Sequence, residues 1–178
     1  MNIEDTFING LKIIHLEKFM DERGSFLKVF NFETYRELGL ETEYLESYFS
    51  ISAKNVIRGM HFQVPPYEHT KLVFCNYGNV LDVILDLRRN SATFKKYFSI
   101  HLDTERPKLL YIPKGCAHGF LSLTDCSIVT YFQTSVHKAL YDRGVKYNSF
   151  GMDWGIKDPI VSKRDDLFVG IDRFNSPF

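Results

Sequence analysis

Between residues 10 and 133 the chain returns again and again to one pattern, a run of five to eight residues rich in Val, Ile, Leu, Phe and Tyr closed by polar or turn-forming residues. The runs cover residues 10–14, 26–30, 71–76, 80–87, 97–102, 109–113 and 127–133. They are too short for helices and rich in the residues that suit a pleated strand. The punctuation between them, Asn76-Tyr77-Gly78-Asn79, Arg89-Asn90-Ser91 and Pro113-Lys114-Gly115, falls at the intervals of an antiparallel sandwich or barrel. The expected fold class is therefore all-β. Within residues 81–87, Asp82 and Asp86 share a parity with Ile84, and Leu81, Val83, Leu85 and Leu87 share the other, which predicts a strand with one polar face.

Helical signal is thin. Residues 32–39 form one short candidate helix, with Asn31 as its cap and Gly39 as its stop, and a second is expected after Ser162. No repeat, low-complexity tract or linker divides the chain, so residues 1–178 read as one domain. The less patterned tail after about residue 166 is expected to cover the end of the barrel or stay mobile.

Composition narrows the function. With 44% hydrophobic and 15% aromatic residues the chain can build a packed core and is too apolar for disorder. Lys plus Arg and Asp plus Glu are both 22, and this neutrality excludes a long track for nucleic acid or an acidic membrane surface. No apolar stretch approaches the ~20 residues needed to span a bilayer. The acidic start, Met1-Asn2-Ile3-Glu4-Asp5, lacks the basic head of a secretory signal. Cys75, Cys116 and Cys126 are odd in number, without CxxC spacing, and read as buried reduced thiols. A soluble cytoplasmic protein is expected.

The densest cluster of chemically capable residues is Val56-Ile57-Arg58-Gly59-Met60-His61-Phe62-Gln63-Val64-Pro65-Pro66, followed by His69 and Lys71. Simple alternation puts Arg58 and His61 on opposite faces of a strand, whereas a bulge at Gly59 turns both to the same side. Singly, each also reads as an ordinary surface or strand-end residue. The clustering sets them apart. In Ile112-Pro113-Lys114-Gly115-Cys116-Ala117-His118-Gly119-Phe120, His118 suits a loop at a cavity mouth or an ordinary loop position. Tyr131, at the end of an apolar strand, reads as a core aromatic whose hydroxyl reaches one partner.

A metal is not expected. Gln63 stands where a His-x-His pair would carry its second histidine, and Glu68 and His69 lack ligand spacing to His61. There is no GxSxG elbow, no GxxxxGK[ST] and no GxGxxG, and the cysteines lack a basic, exposed context.

Taken together, these segments resemble the dTDP-4-dehydrorhamnose 3,5-epimerases, cupin-fold enzymes of nucleotide-linked 4-keto-6-deoxy sugars. The likeness runs from Asp21-Glu22-Arg23-Gly24-Ser25-Phe26 through residues 56–63, Lys71-Leu72-Val73, residues 82–88 and residues 112–120. It continues through Tyr131, Asp142-Arg143-Gly144, Gly151-Met152-Asp153-Trp154 and Ser162-Lys163-Arg164-Asp165. The resemblance implies a jelly-roll antiparallel barrel with a few short helices, a homodimer, a nucleotide-diphosphate sugar substrate and no cofactor. It implies that His61 is the general base, Asp165 its buried partner, Tyr131 the general acid and Lys71 the positive charge that meets the enolate. Arg23, Arg58, Lys71 and His118 are implied diphosphate and sugar contacts, Arg23 reaching across from the other subunit. Asp142 and Arg164 join the implied substrate-binding set. Asp82 either holds Lys71 or is a solvated strand carboxylate.

Departures gather at the nucleotide end. Lys28 replaces a family Glu, Glu46-Ser47-Tyr48 replaces the Gln-x-Asn pair that touches the base, and His137 replaces the tyrosine that stacks on thymine. These changes predict the same reaction on a nucleotide other than dTDP, with Glu46 accepting from the N–H edge of guanine or simply pairing with Lys28. Two further readings stay open. One is an enzyme restricted to C3 or C5, or a ketoisomerase; the other is a cupin that binds a sugar nucleotide without turning it over.

Overall fold

The structure, a computed structural model, describes residues 2–178. Its strands are β1 (Asn2–Asp5), β2 (Lys12–His15), β3 (Lys18–Asp21), β4 (Gly24–Leu27), β5 (Glu46–Ser52), β6 (Val56–Gln63) and β7 (Lys71–Tyr77). They continue with β8 (Asn79–Asp86), β9 (Tyr97–Asp103), β10 (Lys108–Ile112), β11 (Cys116–Ser122), β12 (Ser127–Gln133), β13 (Asp142–Gly144) and β14 (Ile160–Val161). Two short helices, α1 (Phe32–Glu37) and α2 (Lys163–Asp166), complete the described elements. One six-stranded sheet runs β1-β2-β10-β7-β12-β5; the other runs β13-β6-β11-β8-β9, with β14 pairing β6. All pairings are antiparallel except that of β14.

Each of the seven apolar runs overlaps a strand, although only Phe26 and Leu27 of residues 26–30 belong to one. The two sheets pack face to face over Ile13, Val73, Leu110 and Val129 from the first and Val80, Ile84, Leu102 and Phe120 from the second. Alternation sends the neighbours of these residues outward, and they too are apolar, so both outer faces need a cover. On the first sheet Ile14, Leu72, Phe74 and Leu109 are roofed by Tyr35 of α1 and by Leu40. On the second, Ile57, Phe62, Val83, Leu85 and Leu121 are roofed by Trp154, Ile171, Phe174 and Phe178. The C-terminal tail thus covers a sheet face rather than the barrel end, and the outward apolar parity of residues 81–87 is what holds it there.

Both helix caps are where the sequence puts them. Asn31 accepts from the Thr34 N–H at 3.0 Å and Ser162 from the Asp165 N–H at 3.1 Å. Three expectations need correction. The polar parity of β8 faces the barrel interior, where Asp82 and Asp86 are fully buried; Asp86 is satisfied by Arg88, Ser91 and Thr93. The segment around His118 is no loop, since β11 lies between β6 and β8 with all seven residues buried. Of the three free thiols, Cys75 and Cys116 are buried and Cys126 only partly so.

The β3–β4 hairpin forms a separate two-stranded sheet and exposes Phe19, Met20 and Phe26. Among the described residues no helix is long and apolar enough to cross a membrane.

Candidate active site

The site begins with the bulge. β6 pairs with β11 as His61↔His118 and Arg58↔Phe120, so three steps along β6 match two along β11. Directly opposed residues share a face, and His118 and Phe120 are both of the inward parity, so Arg58 and His61 lie on the same side of β6, His61 half-buried and Arg58 exposed. Glycine is required at this crossing. Gly59 has φ +138°, and a Cβ there would lie 2.5 Å from the Gly119 Cα. A Cβ on Gly119 would lie 2.7 Å from the Met60 Sδ.

His61 Nε2 lies 2.8 Å from Asp165 Oδ1, and the Gly59 N–H donates to Asp165 Oδ2 at 3.2 Å. Burial raises the Asp165 pKa, but the hydrogen bond and charge of His61 and the Gly59 N–H outweigh it, and the carboxyl ends below its usual value. An ionised carboxylate only accepts, so this network assigns the proton to Nε2 and leaves the Nδ1 lone pair free. The histidine has one ring edge toward Phe168, at 5.7 Å between centroids.

His61 opens onto a cavity of about 300 Å³ at one end of the barrel. Lys71, on the facing sheet, lines it and is 7% exposed. Burial pulls the Lys71 ammonium down to about 8, against the opposing pull of Asp142 and Asp82. Glu46, Tyr48, His137, Asp142 and Arg164 also line it. Glu46 Oε2 accepts from the His137 N–H at 2.5 Å and from Gln133 Nε2 at 3.2 Å. Asp142 Oδ2 accepts from Arg164 at 2.6 Å and lies 3.3 Å from His137 Nε2. The Arg164 guanidinium lies over the Phe168 ring at 5.2 Å.

Several residues sit elsewhere than expected. His118, 4% exposed, is inside the barrel with Nε2 2.8 Å from Asp82 Oδ2 and does not line the cavity. Asp82 is therefore neither solvated nor hydrogen-bonded to Lys71; it is the partner of His118. Burial raises its pKa and His118 opposes that rise. Arg58 also lies off the cavity, donating to Ser52 Oγ at 2.9 Å and to the Ile51 carbonyl at 3.0 Å and so tying β6 to β5. Arg23 is at the exposed hairpin, paired with Asp21 and away from its own chain's cavity. Lys28 shares a separate surface depression with Phe19, Phe26 and Asn31 and does not meet Glu46.

Tyr131 is 6% exposed, with its hydroxyl 3.2 Å from Ser50 Oγ, and burial raises its pKa strongly. It does not line the cavity; Tyr48, which does, stacks on its ring. Four residues of the cavity wall lie outside the expected site set: Phe62, Gln63, His69 and Gln133, of which Gln63 and His69 were weighed only as metal ligands. Parity was the available signal, since Gln63 follows His61 by two positions and Gln133 follows Tyr131 by two. His69 is buried and drawn down to about 3, chiefly by burial, which keeps it neutral. No group of three His, Cys, Asp or Glu side chains among the described residues is placed to share a metal ion.

Two facing antiparallel sheets that gather their polar inward residues around a cavity at one end define a cupin-type jelly roll. The model of the family described as dTDP-4-dehydrorhamnose 3,5-epimerase matches residues 5–172. The enzyme of that name from Shigella flexneri is 36% identical over 180 residues, covering 98% of this chain and 99% of its own. The Bacillus anthracis dTDP-4-dehydrorhamnose 3,5-epimerase with TDP and PPi bound has a TM-score of 0.92 at 33% identity, covering 96% of this chain and 99% of that one. The Legionella pneumophila dTDP-6-deoxy-D-glucose-3,5-epimerase in complex with dTDP-4-keto-L-rhamnose also has a TM-score of 0.92, at 32% identity, covering 98% and 94%. The chain belongs to the dTDP-4-dehydrorhamnose 3,5-epimerase family.

Proposed function

We propose that this enzyme inverts C3, C5 or both in a dTDP-linked 4-keto-6-deoxy sugar, in deoxysugar synthesis for a surface glycan. The observation that carries the reading is the His61–Asp165 contact on the wall of a cavity that also holds the buried Lys71. His61 Nδ1 removes the proton from a carbon beside the C4 ketone, and the electron pair moves onto the ketone oxygen. Lys71 stabilises the enolate, where a charge in a dry site is worth far more than in water. Asp165 stabilises the imidazolium. Tyr131, kept protonated by burial, returns a proton to the opposite face of the same carbon, and solvent resets both groups. The sequence of transfers balances without a redox cofactor. NMR of a dTDP-linked 4-keto-6-deoxy sugar incubated with the enzyme tests this: inversion at C3 or C5 is expected, and an unchanged sugar contradicts it.

Glu46 supports a second reading, with another nucleotide in place of dTDP. Its carboxylate is held on the cavity wall by His137 and Gln133, and it suits a base that offers two N–H donors. Asp142, His137 and Arg164 complete that end. Calorimetry with dTDP, GDP, CDP and UDP separates the two; a clear preference for dTDP removes the second.

We infer a cytoplasmic homodimer of one-domain chains. Phe19, Met20 and Phe26 on the hairpin support it, because a two-stranded ribbon needs an apolar surface to rest on. Arg23, on the same hairpin, then serves the neighbouring subunit's diphosphate site together with Lys71. Sizing chromatography that gives a 20.8 kDa species contradicts the dimer.

A further inference from the structure

We propose that Tyr48 is a movable cover over Tyr131, so that a ligand reaches the acid only by displacing the Tyr48 ring. The inference rests on Tyr131 being the acid, as argued above. The two tyrosines are direct cross-strand partners on β5 and β12. Their rings stack with centroids 4.7 Å apart and 19° between planes. The hydroxyls find partners at different levels of the barrel, Tyr131 at Ser50 and Tyr48 at Gln133. The cavity that holds His61 is lined by Tyr48 and not by Tyr131. Tyr48 therefore stands between the cavity and the acid.

Which of the two moves follows from how each is held. Tyr131 is on a strand paired on both sides, between β7 and β5, is 6% exposed, and has the His118 ring 5.9 Å away at 68°. Tyr48 is on the edge strand, 40% exposed, and its hydroxyl reaches Gln133 Oε1 only at 3.5 Å, the outer limit of a hydrogen bond. The stack is its main tether. A sugar ring that slides over Tyr131 takes the place of Tyr48, and part of its binding free energy goes into breaking the stack. A group that cannot lie flat on Tyr131 leaves the cover closed. Tyr48 thus sets substrate selection at the acid's side of the cavity, a different task from reading the base.

The test compares Tyr48→Ala, which removes the ring, with Tyr48→Phe, which keeps it. Hydroxyl-radical footprinting with mass spectrometry reads whether Tyr131 is shielded, and steady-state kinetics on the dTDP-linked 4-keto-6-deoxy sugar reads the cost of displacement. In the wild type and Y48F, Tyr131 is protected; in Y48A its oxidation rises to that of an exposed tyrosine such as Tyr77. The KM of Y48A falls about two- to tenfold below that of Y48F, the worth of one aromatic stack. Protection of Tyr131 in Y48A, or a KM equal to or above that of Y48F, overturns the proposal; a higher KM makes Tyr48 a substrate platform instead. If Y48A does not fold, Y48V, suited to an edge strand, carries the same comparison. Tyr131→Phe keeps the two failures apart: full turnover in Y131F removes Tyr131 as the acid, while the footprint still reports on the cover.

Discussion

His61 Nε2 and Asp165 Oδ1 meet at 2.8 Å across 104 positions of sequence, one on the bulged strand β6 and the other on a single helical turn capped by Ser162. That turn directs the carboxylate at the imidazole. Asp165→Asn replaces the anion by an amide that no longer favours the imidazolium, and kcat falls by about 10²–10⁴. Nucleotide affinity measured by calorimetry stays close to wild type, because the side chain faces His61 rather than the nucleotide. A wild-type kcat in D165N contradicts the assignment. The lowered carboxyl pKa also stabilises the fold above the unfolded Asp value of about 4, and this contribution is lost as pH falls through the folded value.

Under the proposed mechanism, Lys71 links the reaction to pH. Its ammonium titrates at about 8, so kcat/KM falls progressively as pH rises through that value. Lys71→Gln loses most turnover at every pH and with it the alkaline limb. A profile still flat at about pH 9.5, near the ordinary lysine range, contradicts a role for the cation. The stability effect has the opposite sense. Between about 8 and the ordinary 10.5 the unfolded chain holds a proton that the folded chain has released, so stability rises with pH across that window.

Asp82 and His118 form a second pair, 2.8 Å apart and almost wholly buried. Asp82→Ala leaves the imidazole without its hydrogen-bond partner in the barrel interior, and urea unfolding is expected to show a loss of about 1–3 kcal/mol. Their place beside Tyr131 makes this scaffold rather than cavity wall. A loss below about 1 kcal/mol, the range of exposed ion pairs, shows that the contact is solvated in solution.

The Gly59–Gly119 crossing tests the bulge. Gly119→Ala puts a methyl 2.7 Å from the Met60 Sδ and 2.8 Å from the Arg58 carbonyl oxygen. Overpacking of that kind costs about 1–3 kcal/mol by urea unfolding, and the shift it forces on β6 displaces His61, so kcat falls as well. Unchanged stability and rate in G119A contradict the register on which the site is built.

The strands of the core were legible because their apolar residues face inward or lie under a cover, as in residues 71–76 and 127–133. β5 was not. Its inward residues are Glu46, Tyr48, Ser50 and Ser52, while Phe49 and Ile51 face solvent, so the strand that serves the cavity inverts the hydrophobic pattern that reveals the others. β11 was hidden for a related reason: His118 and Gly119 look like loop residues until the His118–Asp82 pair and the Gly59 crossing give each a buried partner. Gly59 raised the bulge as one of two options, and only the β6–β11 register decides that Arg58 and His61 share a face. The pairing of His61 with Asp165 came only through the family resemblance, since no local pattern connects a strand to a four-residue helix so far along the chain. The stack of Tyr48 on Tyr131 was beyond reach of sequence, because cross-strand stacking depends on the β5–β12 register.

In the proposed reaction, inversion proceeds by removal of a proton by His61 and delivery of a solvent-derived proton by Tyr131. The most direct measurement is turnover of a dTDP-linked 4-keto-6-deoxy sugar in deuterium oxide, with NMR at C3 and C5. Deuterium is expected at every carbon that inverts, and none at either carbon with His61→Ala. Inversion without deuterium at the inverted carbon would contradict it.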